Sequence, residues 1–274
     1  MRIFLSGSRG RIGTVVEQIF RAAGHEVVGY DIAEGGDIMD AAAVHEAMVG
    51  CDWVAHLAMA MGQQHAPEAV YASGTLGTWN VLQAAEARGV QRVVVYSSVN
   101  AMGYFMGEAT PDYLPFDEGH PCRPGRPYGI AKYLGEQTCR LFTGRTGIPT
   151  ISIRPPAVWS EEEIAQIKEE RTRDSYCEWD PHWEYGCYIH VEDLARATLC
   201  ALTCPDPGHV ALLVVANDIS TDTDLTSREL AQKVLPQVEW RGGPAYDEDP
   251  HKGLVENSQA RKILGWTPQY RWRD

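Results

Sequence analysis

The glycine-rich segment near the start of the chain constrains the fold more than any other feature. Residues 2–6 form a short apolar run that predicts a buried strand, and Gly7, Gly10 and Gly13 follow it in the pattern Gly-x-x-Gly-x-x-Gly. The periodic apolar stretch 12–23 then predicts a helix. In such a unit the glycines allow a tight turn, close approach of a ligand and close packing of helix on strand. The segment therefore predicts an α/β fold whose first helix points its amides at a phosphate group.

An acidic residue after the second predicted strand indicates which dinucleotide this turn holds. Residues 26–30 predict that strand, and Asp31 follows it 18 positions beyond Gly13. A carboxylate at about this distance binds the ribose hydroxyls of NAD and repels the 2′-phosphate of NADP. We therefore expect NAD as the cofactor. The predicted cofactor contacts in this part of the chain are Gly7, Arg9, Gly10, Arg11, Ile12, Gly13 and Asp31.

A tyrosine and a lysine four residues apart indicate the chemistry. Tyr128 and Lys132, in Tyr-Gly-Ile-Ala-Lys, lie one turn apart on the same face of a predicted helix. We expect the lysine ammonium to stabilise the phenolate and so to lower a phenol pKa that starts near ~10. A tyrosine of this kind exchanges a proton at near-neutral pH, as the oxidation of an alcohol requires. About 30 residues earlier, Ser97 and Ser98 end another predicted strand.

Composition excludes several classes of protein. The formal net charge of −13 disfavours nucleic acid as a partner, because its binding needs a basic surface. Seven cysteines without the spacing of a disulfide framework favour a reducing compartment. The chain enters a strand at once, so no signal peptide is expected, and its apolar runs fall short of the roughly 20 residues that span a membrane. We expect a cytoplasmic protein with no membrane partner.

Strands and helices alternate through the first two-thirds of the chain, which predicts a parallel sheet covered by helices on both faces. The predicted elements are strands at 52–57, 91–98, 150–154 and 210–216 and helices at 67–88 and 191–203. The expected fold is a Rossmann-type doubly wound parallel sheet with a small C-terminal substrate-binding cap. The expected NAD-binding domain covers 1–155 and is completed by about 190–217. Residues 156–189 and 218–274 would then form the small substrate-binding lobe.

Several motifs in the same order resemble the extended short-chain dehydrogenase/reductase family, the group of nucleotide-sugar epimerases, dehydratases and hexuronate dehydrogenases. Beside the glycine turn, the resemblance rests on His56-Leu57-Ala58, Gly77-Thr78-x-Asn80, Ser97-Ser98, Pro115-Phe-Asp-Glu118, Pro127-Tyr128-Gly129-x-x-Lys132, Arg154-Pro155, Tyr188-Ile-His-Val-Glu-Asp193 and Leu264-Gly-Trp-x-Pro268. It covers nearly the whole chain.

The resemblance implies roles for particular residues. Asp37 and Ile38 would flank the adenine, and Lys132 would also hold the nicotinamide ribose. Ser98, rather than Ser97, matches the family's catalytic serine or threonine, which hydrogen-bonds the reacting oxygen. Further cofactor contacts expected from the matching positions are Leu57, Ala58, Tyr128 and Pro155. We also expect a homodimer.

Two positions depart from the family pattern. Gly74 stands where the family usually has asparagine, and a glycine inside a helix costs about 1 kcal/mol against alanine. Val99, Asn100 and Ala101 follow Ser98, where sugar 4,6-dehydratases place an adjacent Asp-Glu acid–base pair. Dehydration by that mechanism is therefore disfavoured.

The predicted function is NAD-dependent oxidation of a hydroxyl of a sugar, sugar acid or nucleotide sugar, and dehydrogenase and epimerase remain open. The predicted substrate contacts are Met61, Asn100, Arg171 and Arg173, and either arginine is suited to a carboxylate or a phosphate. A different class also stays open, a catalytically silent NAD-binding regulator or redox sensor. No metal site is expected, because Cys177, His182, Cys187 and His190 have spacings of five, five and three that fit no standard zinc finger.

Overall fold

The computed structural model describes residues 1–61, 65–173, 184–222 and 224–274, with only the backbone at 172 and 173. The strands are β1 Arg2–Ser6, β2 Glu26–Tyr30, β3 Trp53–His56, β4 Arg92–Tyr96, β5 Tyr113–Leu114, β6 Thr150–Arg154, β7 Ala157–Trp159, β8 Tyr188–His190, β9 His209–Leu213 and β10 Glu239–Trp240. The helices are α1 Arg11–Ala22, α2 Ala41–Ala47, α3 Pro67–Ala72, α4 Thr78–Arg88, α5 Pro127–Thr146, α6 Glu161–Arg173, α7 Val191–Thr203, α8 Ser227–Val234, α9 Ala245–Glu248 and α10 Ser258–Leu264.

Six parallel strands form the central sheet, in the order β2-β1-β3-β4-β6-β9. The chain moves outward from β1 to β2 and then returns to add β3 on the other side of β1. The order of strands therefore reverses between β1 and β3, and ligands of such sheets bind outside the carboxyl ends of the strands at that point. The predicted Rossmann-type doubly wound sheet is confirmed.

Alternate side chains of the strands enter two separate hydrophobic cores. Ile3 and Leu5 of β1 pack with Phe20 of α1 in a core that α7 and α10 also cover. Phe4, on the opposite face of the same strand, packs with residues of α2 and α4 and with Phe142 of α5. Because successive strand residues point to opposite faces, this alternation explains how helices cover both sides of the sheet.

A third core lies beyond the sheet and draws on distant parts of the chain. Tyr104 and Phe116, from the segment before α5, pack with Tyr185, Leu230 and Leu254 from the C-terminal part. The short pairing of β5 with β10 also joins these two parts. The division into 1–155 and a lobe of 156–189 and 218–274 stays a prediction, and residues within 99–116 contribute to this third core.

The predicted helix at 67–88 is interrupted. A π-helical turn at Ser73–Gly77 separates α3 from α4. A Cβ atom on Gly77 would lie 2.7 Å from Ile38 Cδ1, so the absence of a side chain allows this turn to pack closely against the segment after β2. Turns of the π type are frequent at functional sites. In the described ranges, no helix combines the length and the apolar character needed to cross a membrane.

Candidate active site

The turn between β1 and α1, residues 7–13, is here called the cradle. Gly7 has a φ of 76°, and a Cβ atom there would lie 2.8 Å from the backbone nitrogen of Ala58. A Cβ atom on Gly13 would lie 1.9 Å from the Gly7 carbonyl oxygen. Gly10 precedes α1 without a side-chain cap, and the first turn of this helix carries no acidic residue. A tight glycine turn before an uncapped helix N-terminus fits a pyrophosphate.

Asp31 links the end of β2 to the cradle. Its Oδ2 accepts a hydrogen bond from the Arg9 backbone N–H at 2.9 Å, and its Oδ1 accepts one from Ala33 N–H at 2.9 Å. The Arg9 guanidinium is paired with Glu17 at 2.9 Å and with Glu34 at 2.8 Å. Two carboxylates, Asp31 and Glu34, thus flank this side of the cradle, which favours ribose hydroxyls over a phosphate.

The other predicted cofactor residues lie around the cradle. The segment with Asp37 and Ile38 is held by hydrogen bonds from Tyr30 Oη to the Asp37 carbonyl at 2.9 Å and from Asn80 Nδ2 to the Ile38 carbonyl at 3.0 Å. The backbone N–H groups of Leu57 and Ala58 both donate to Ser6 Oγ at the end of β1. Pro155 follows β6, and its carbonyl accepts from Val99 N–H at 3.1 Å. Their contacts with a cofactor stay predictions.

The second part of the site, here called the catalytic corner, joins the end of β4 (residues 96–100) to the start of α5 (residues 127–136). Ser98 Oγ accepts hydrogen bonds from the backbone N–H and the side-chain Nδ2 of Asn100, at 3.1 and 3.2 Å. The Ser98 hydroxyl also lies next to the Tyr128 phenol and acts to lower its pKa. Pro127, the first residue of α5, starts the helix at the point that brings Tyr128 to Ser98. The predicted serine and tyrosine are therefore adjacent.

Lys132 is placed differently from the expectation. Its Nζ donates to the Tyr96 carbonyl at 2.5 Å and lies 5.7 Å from the centre of the Tyr128 ring. Burial raises the pKa of Tyr128 to about 12, the Ser98 hydrogen bond opposes this rise, and the negative charge of Glu184 adds to it. The expected lowering of the phenol pKa by Lys132 is thus not seen in the protein alone. Burial lowers the pKa of Lys132 itself to about 8.

A buried ion pair lies directly beneath the catalytic corner. Arg154 Nε and Nη2 donate to the two oxygens of Glu136 at 2.8 and 2.7 Å, and both side chains are almost fully buried. Ser97 Oγ donates to Glu136 Oε1 at 2.5 Å. Since Glu136 lies one turn beyond Lys132 on α5, this pair fixes the helix against the ends of β4 and β6. Ser97 thereby has a structural partner, while Ser98 faces the tyrosine.

A cavity of about 10 Å³, the size of one water molecule, adjoins Lys132 and is partly lined by His56, Gly74 and Thr78. His56 lies between Ser6 Oγ at 2.6 Å and Thr78 Oγ1 at 3.3 Å, and burial lowers its pKa to about 3, so it is neutral. A Cβ atom on Gly74 would lie 2.8 Å from both the Ala131 Cβ and the Met59 Cε. These two neighbours occupy the space that a larger side chain at position 74 would need.

Comparison with known proteins identifies the family of the chain. The sequence model of the family described as "NAD dependent epimerase/dehydratase family" matches residues 3–215. The chain belongs to this family. The NAD dependent epimerase/dehydratase family is the group that the sequence motifs resemble, so the resemblance is confirmed, and with it NAD as the cofactor.

Two curated relatives match most of the chain. The uronate dehydrogenase of Pseudomonas syringae pv. tomato is 26% identical over 91% of this chain and 89% of its own length. The UDP-glucose 4-epimerase of Rhizobium leguminosarum bv. trifolii is 28% identical over 93% of this chain and 85% of its own length. A short-chain dehydrogenase/reductase superfamily protein from Agrobacterium tumefaciens, solved with bound NAD, has the same fold, with a TM-score of 0.73, 21% identity and coverage of 100% and 94%.

The predicted substrate residues of this family member lie in different environments. Asn100 is in the catalytic corner, and Met61 is half-exposed beyond the end of β3. Arg171 is buried, stacks on the Trp272 ring with its guanidinium 4.6 Å from the ring centre, and donates to the Ser220 carbonyl at 2.6 Å. These contacts give Arg171 a packing role, and its contact with substrate stays a prediction. The Arg173 side chain lies outside the described residues, as do Cys177 and His182.

Two functional candidates escaped the sequence analysis. Glu136 had a signal, because Tyr128, Lys132 and Glu136 follow one another at intervals of four along a single helix. Glu184 had none. It lies far along the chain, and its side chain reaches the catalytic corner through a hydrogen bond with the Asn100 side chain. Only the tertiary structure brings Glu184 and Asn100 together.

Proposed function

We propose that the protein uses NAD to oxidise a hydroxyl group of a sugar, sugar acid or nucleotide sugar, as a dehydrogenase or an epimerase. The observation that carries this proposal is the direct contact of Ser98 with Tyr128 at the carboxyl edge of the sheet, with Lys132 one turn away. The cradle supports it, because its glycine turn and Asp31 suit a dinucleotide. The curated relatives include enzymes of both kinds.

Each residue of the catalytic corner has a defined task in this proposal. Ser98 and Tyr128 lie next to each other, so both hydroxyls can contact one substrate oxygen. Tyr128 Oη exchanges the proton of that hydroxyl, and Ser98 Oγ holds the oxygen in place. Lys132, fixed by the Tyr96 carbonyl, contributes positive charge beside the phenol. NAD, when bound, supplies the hydride acceptor.

The pKa of Tyr128 determines how the rates of oxidation and reduction depend on pH. At neutral pH the phenol is protonated in the protein alone, because burial raises its pKa to about 12. A protonated phenol is suited to give a proton to a carbonyl that is being reduced. For oxidation the phenol must first lose its proton, so oxidation is expected to become faster as the pH rises.

The catalytically silent alternative is less well supported. A protein that only binds NAD does not need Ser98, Tyr128 and Lys132 to meet at the edge of the sheet. The buried Glu136–Arg154 pair beneath them carries a large desolvation penalty, and a surface without catalytic function does not require such a pair. Gly74, a departure from the family pattern, leaves the space that Ala131 and Met59 fill, so it does not require a loss of catalysis.

The test is a substrate panel of uronic acids, neutral aldoses and nucleotide sugars incubated with the protein and NAD. Net NADH formation with one class identifies a dehydrogenase, whereas an isomerised sugar without net NADH identifies an epimerase. The matched control is Tyr128→Phe, which should be inactive toward the same sugar. Absence of both products across all three classes, with NAD bound, would refute the proposal.

We also propose that the protein is a cytoplasmic homodimer. Four large apolar side chains are 42–64% exposed on α3, α4, α5 and the turn at 73–77: Tyr71, Leu76, Trp79 and Leu141. Exposed apolar groups on neighbouring helices are typical of a protein–protein interface. The six cysteines of the described part are free thiols, which suits a reducing compartment. Light scattering tests the dimer, and a monomeric mass at micromolar concentration would contradict it.

A further inference from the structure

Glu184 is a buried acidic residue that no step of the proposed mechanism uses. It is 6% exposed and begins the short helical turn Glu184–Gly186. Glu184 and Tyr185 have φ values of 55° and 52°, a left-handed conformation that side chains rarely adopt. Residues held in this conformation are strained, and such strain is typical of functional sites. The backbone is therefore held in an unfavourable form at the place where it delivers this carboxyl.

The carboxyl lies against the catalytic corner. It interacts with the Asn100 side chain and with the backbone N–H of Ala157, the first residue of β7, and both interactions favour its charged form. The same Asn100 amide nitrogen donates to Ser98 Oγ at 3.2 Å, and Ser98 contacts Tyr128. An amide nitrogen has two hydrogens, so Asn100 bridges the serine and the carboxyl. Tyr128, Ser98, Asn100 and Glu184 thus form one continuous row of polar groups.

One oxygen of this carboxyl lacks a hydrogen-bond donor. Glu184 Oε2 is buried and has no hydrogen-bond partner among the residues that the structure describes. A buried carboxylate oxygen without a donor is unfavourable, because it has lost its water and gained nothing in exchange. A hydroxyl group of a bound molecule would supply the missing hydrogen. Since the row already leads to the reacting oxygen at Ser98 and Tyr128, a hydroxyl near the reacting one is the group best placed to do so.

We propose that Glu184 binds the substrate by accepting a hydrogen bond from a hydroxyl group adjacent to the one that is oxidised. The inference rests on the proposed function and adds a requirement on the substrate. The substrate must carry a second hydroxyl beside the reacting carbon, and it must not place a carboxylate there, because two carboxylates repel each other. Glu184 therefore selects a neutral polyhydroxy face of the sugar.

Protonation of Glu184 changes this interaction. Burial raises its pKa to about 7, against the opposing hydrogen bonds from Asn100 and Ala157. Tyr128 and Asn100 are the polar groups of the catalytic corner that face it, and Cys187, three residues on, is a neutral thiol because burial raises its pKa. The charged form accepts a hydrogen bond most strongly, so KM for a neutral sugar should fall as the pH rises through about 7.

The same charge acts on Tyr128. A negative Glu184 raises the pKa of the phenol. Its replacement by a neutral amide therefore lowers that pKa and moves the alkaline rise of oxidation to lower pH. A residue that only supported the fold would not shift this profile. Glu184 is thus expected to affect both the substrate constant and the pH dependence of the rate.

The experiment compares the parent protein with Glu184→Gln on two substrates, the best neutral sugar of the panel and its analogue without the adjacent hydroxyl. In the parent, loss of the hydroxyl should lower kcat/KM about tenfold or more, as expected for a hydrogen bond to a charged group. In Glu184→Gln, kcat/KM for the intact sugar should fall by a similar factor, and the two substrates should become nearly equal. The Kd of NAD should stay unchanged.

Glu118→Gln is the matched control. Glu118 also has a buried Oε2 without a partner in the described part of the chain, and its Oε1 accepts from Leu213 N–H at 3.1 Å. None of the described contacts joins it to Ser98, Asn100 or Tyr128, so this variant should keep the full discrimination between the two sugars.

Each outcome separates this inference from the proposed function. An active parent with an active Glu184→Gln that still discriminates tenfold between the sugars would overturn the role of Glu184 and leave the proposed function intact. An inactive parent would refute the proposed function itself. If Glu184→Gln does not fold, the pH dependence of KM in the parent tests the inference. Its KM for the intact sugar should fall as the pH rises through about 7, while KM for the analogue stays constant, and equal pH profiles would contradict the inference.

Discussion

The cradle and the catalytic corner are built in opposite ways. The cradle is one stretch of chain, residues 7–13, closed by Asp31, and most of its function lies in the backbone and in the space that glycines leave open. The catalytic corner joins two distant segments, 96–100 and 127–136, and the side chains of Arg154 and Glu184, from two more, lie against it. Its polar groups are buried and depend on each other. We therefore expect the cradle to keep its affinity for NAD when the corner is changed, and the corner to lose activity or stability when one of its buried polar groups is removed.

The largest effect is expected on the stability of the protein, when the ion pair beneath the corner is broken. Glu136→Ala leaves Arg154 buried without its partner, which typically costs about 3–5 kcal/mol of stability. Urea unfolding of the variant measures this loss. The control is Glu86→Ala, which removes an exposed pair with Arg145 and should change little. Equal effects of the two substitutions would show that the ion pair beneath the corner does not support it.

A large effect confined to catalysis is expected at Tyr128. Tyr128→Phe removes the transferable proton and keeps the ring, so turnover should fall by at least ~10²-fold. The Kd of NAD, measured by calorimetry, should stay the same. The increase of the parent's oxidation rate at high pH should also disappear. Tyr133→Phe, on the same helix, is the control and should remain active; a Tyr128→Phe variant within a few-fold of the parent would contradict the mechanism.

A smaller effect, confined to the cradle, is expected at Asp31. The parent should bind NAD at least about tenfold more tightly than NADP. Asp31→Ala removes the acceptor of the ribose hydroxyls and one negative charge, and so should narrow this preference, with turnover at saturating NAD nearly unchanged. Asp40→Ala, which removes the cap of α2, should leave the preference as it is. Equal affinities of the parent for the two dinucleotides would refute the role of Asp31.

The smallest effect is expected at Gly74. Alanine is favoured over glycine in a helix by about 1 kcal/mol. A Cβ atom at this position, however, would lie 2.8 Å from Ala131 and Met59, and overpacking costs roughly 1–3 kcal/mol. Gly74→Ala should therefore lower stability by roughly 1 kcal/mol, and a second change, Met59→Ala, should relieve part of that loss. A Gly74→Ala variant more stable than the parent would show that Ala131 and Met59 move aside at little energetic cost.

The same difference explains which parts were predictable from the sequence. The strands 2–6, 26–30 and 150–154 and the helix 191–203 agree with their predicted ranges, because local periodicity and turn residues define them. Ser98, Tyr128 and Lys132 were found by spacing and by resemblance, and the structure brings them together. Their tasks in catalysis stay predictions.

Other features depend on tertiary contacts that no local pattern contains. The π-helical turn at Ser73–Gly77 interrupts the helix at 67–88, and its Gly77 and Gly74 pack closely against Ile38 and Met59, which leave no space for side chains there. The phenol pKa rises because burial and Glu184 act on it, while Lys132 is held by the Tyr96 carbonyl. Glu184 itself reaches the corner from a distant turn. Burial and long-range contacts therefore determine the electrostatics of the site.

Transfer of deuterium tests the central claim most directly. The best sugar of the panel, with deuterium at its carbon-bound positions, is incubated with the protein and NAD, and cofactor and product are examined by mass spectrometry. We predict that deuterium appears on the nicotinamide of NADH, for a dehydrogenase, or is retained in the isomerised sugar, for an epimerase. In Tyr128→Phe neither transfer should be detected on the same time scale. Loss of the deuterium to water in the parent would contradict hydride transfer at the catalytic corner.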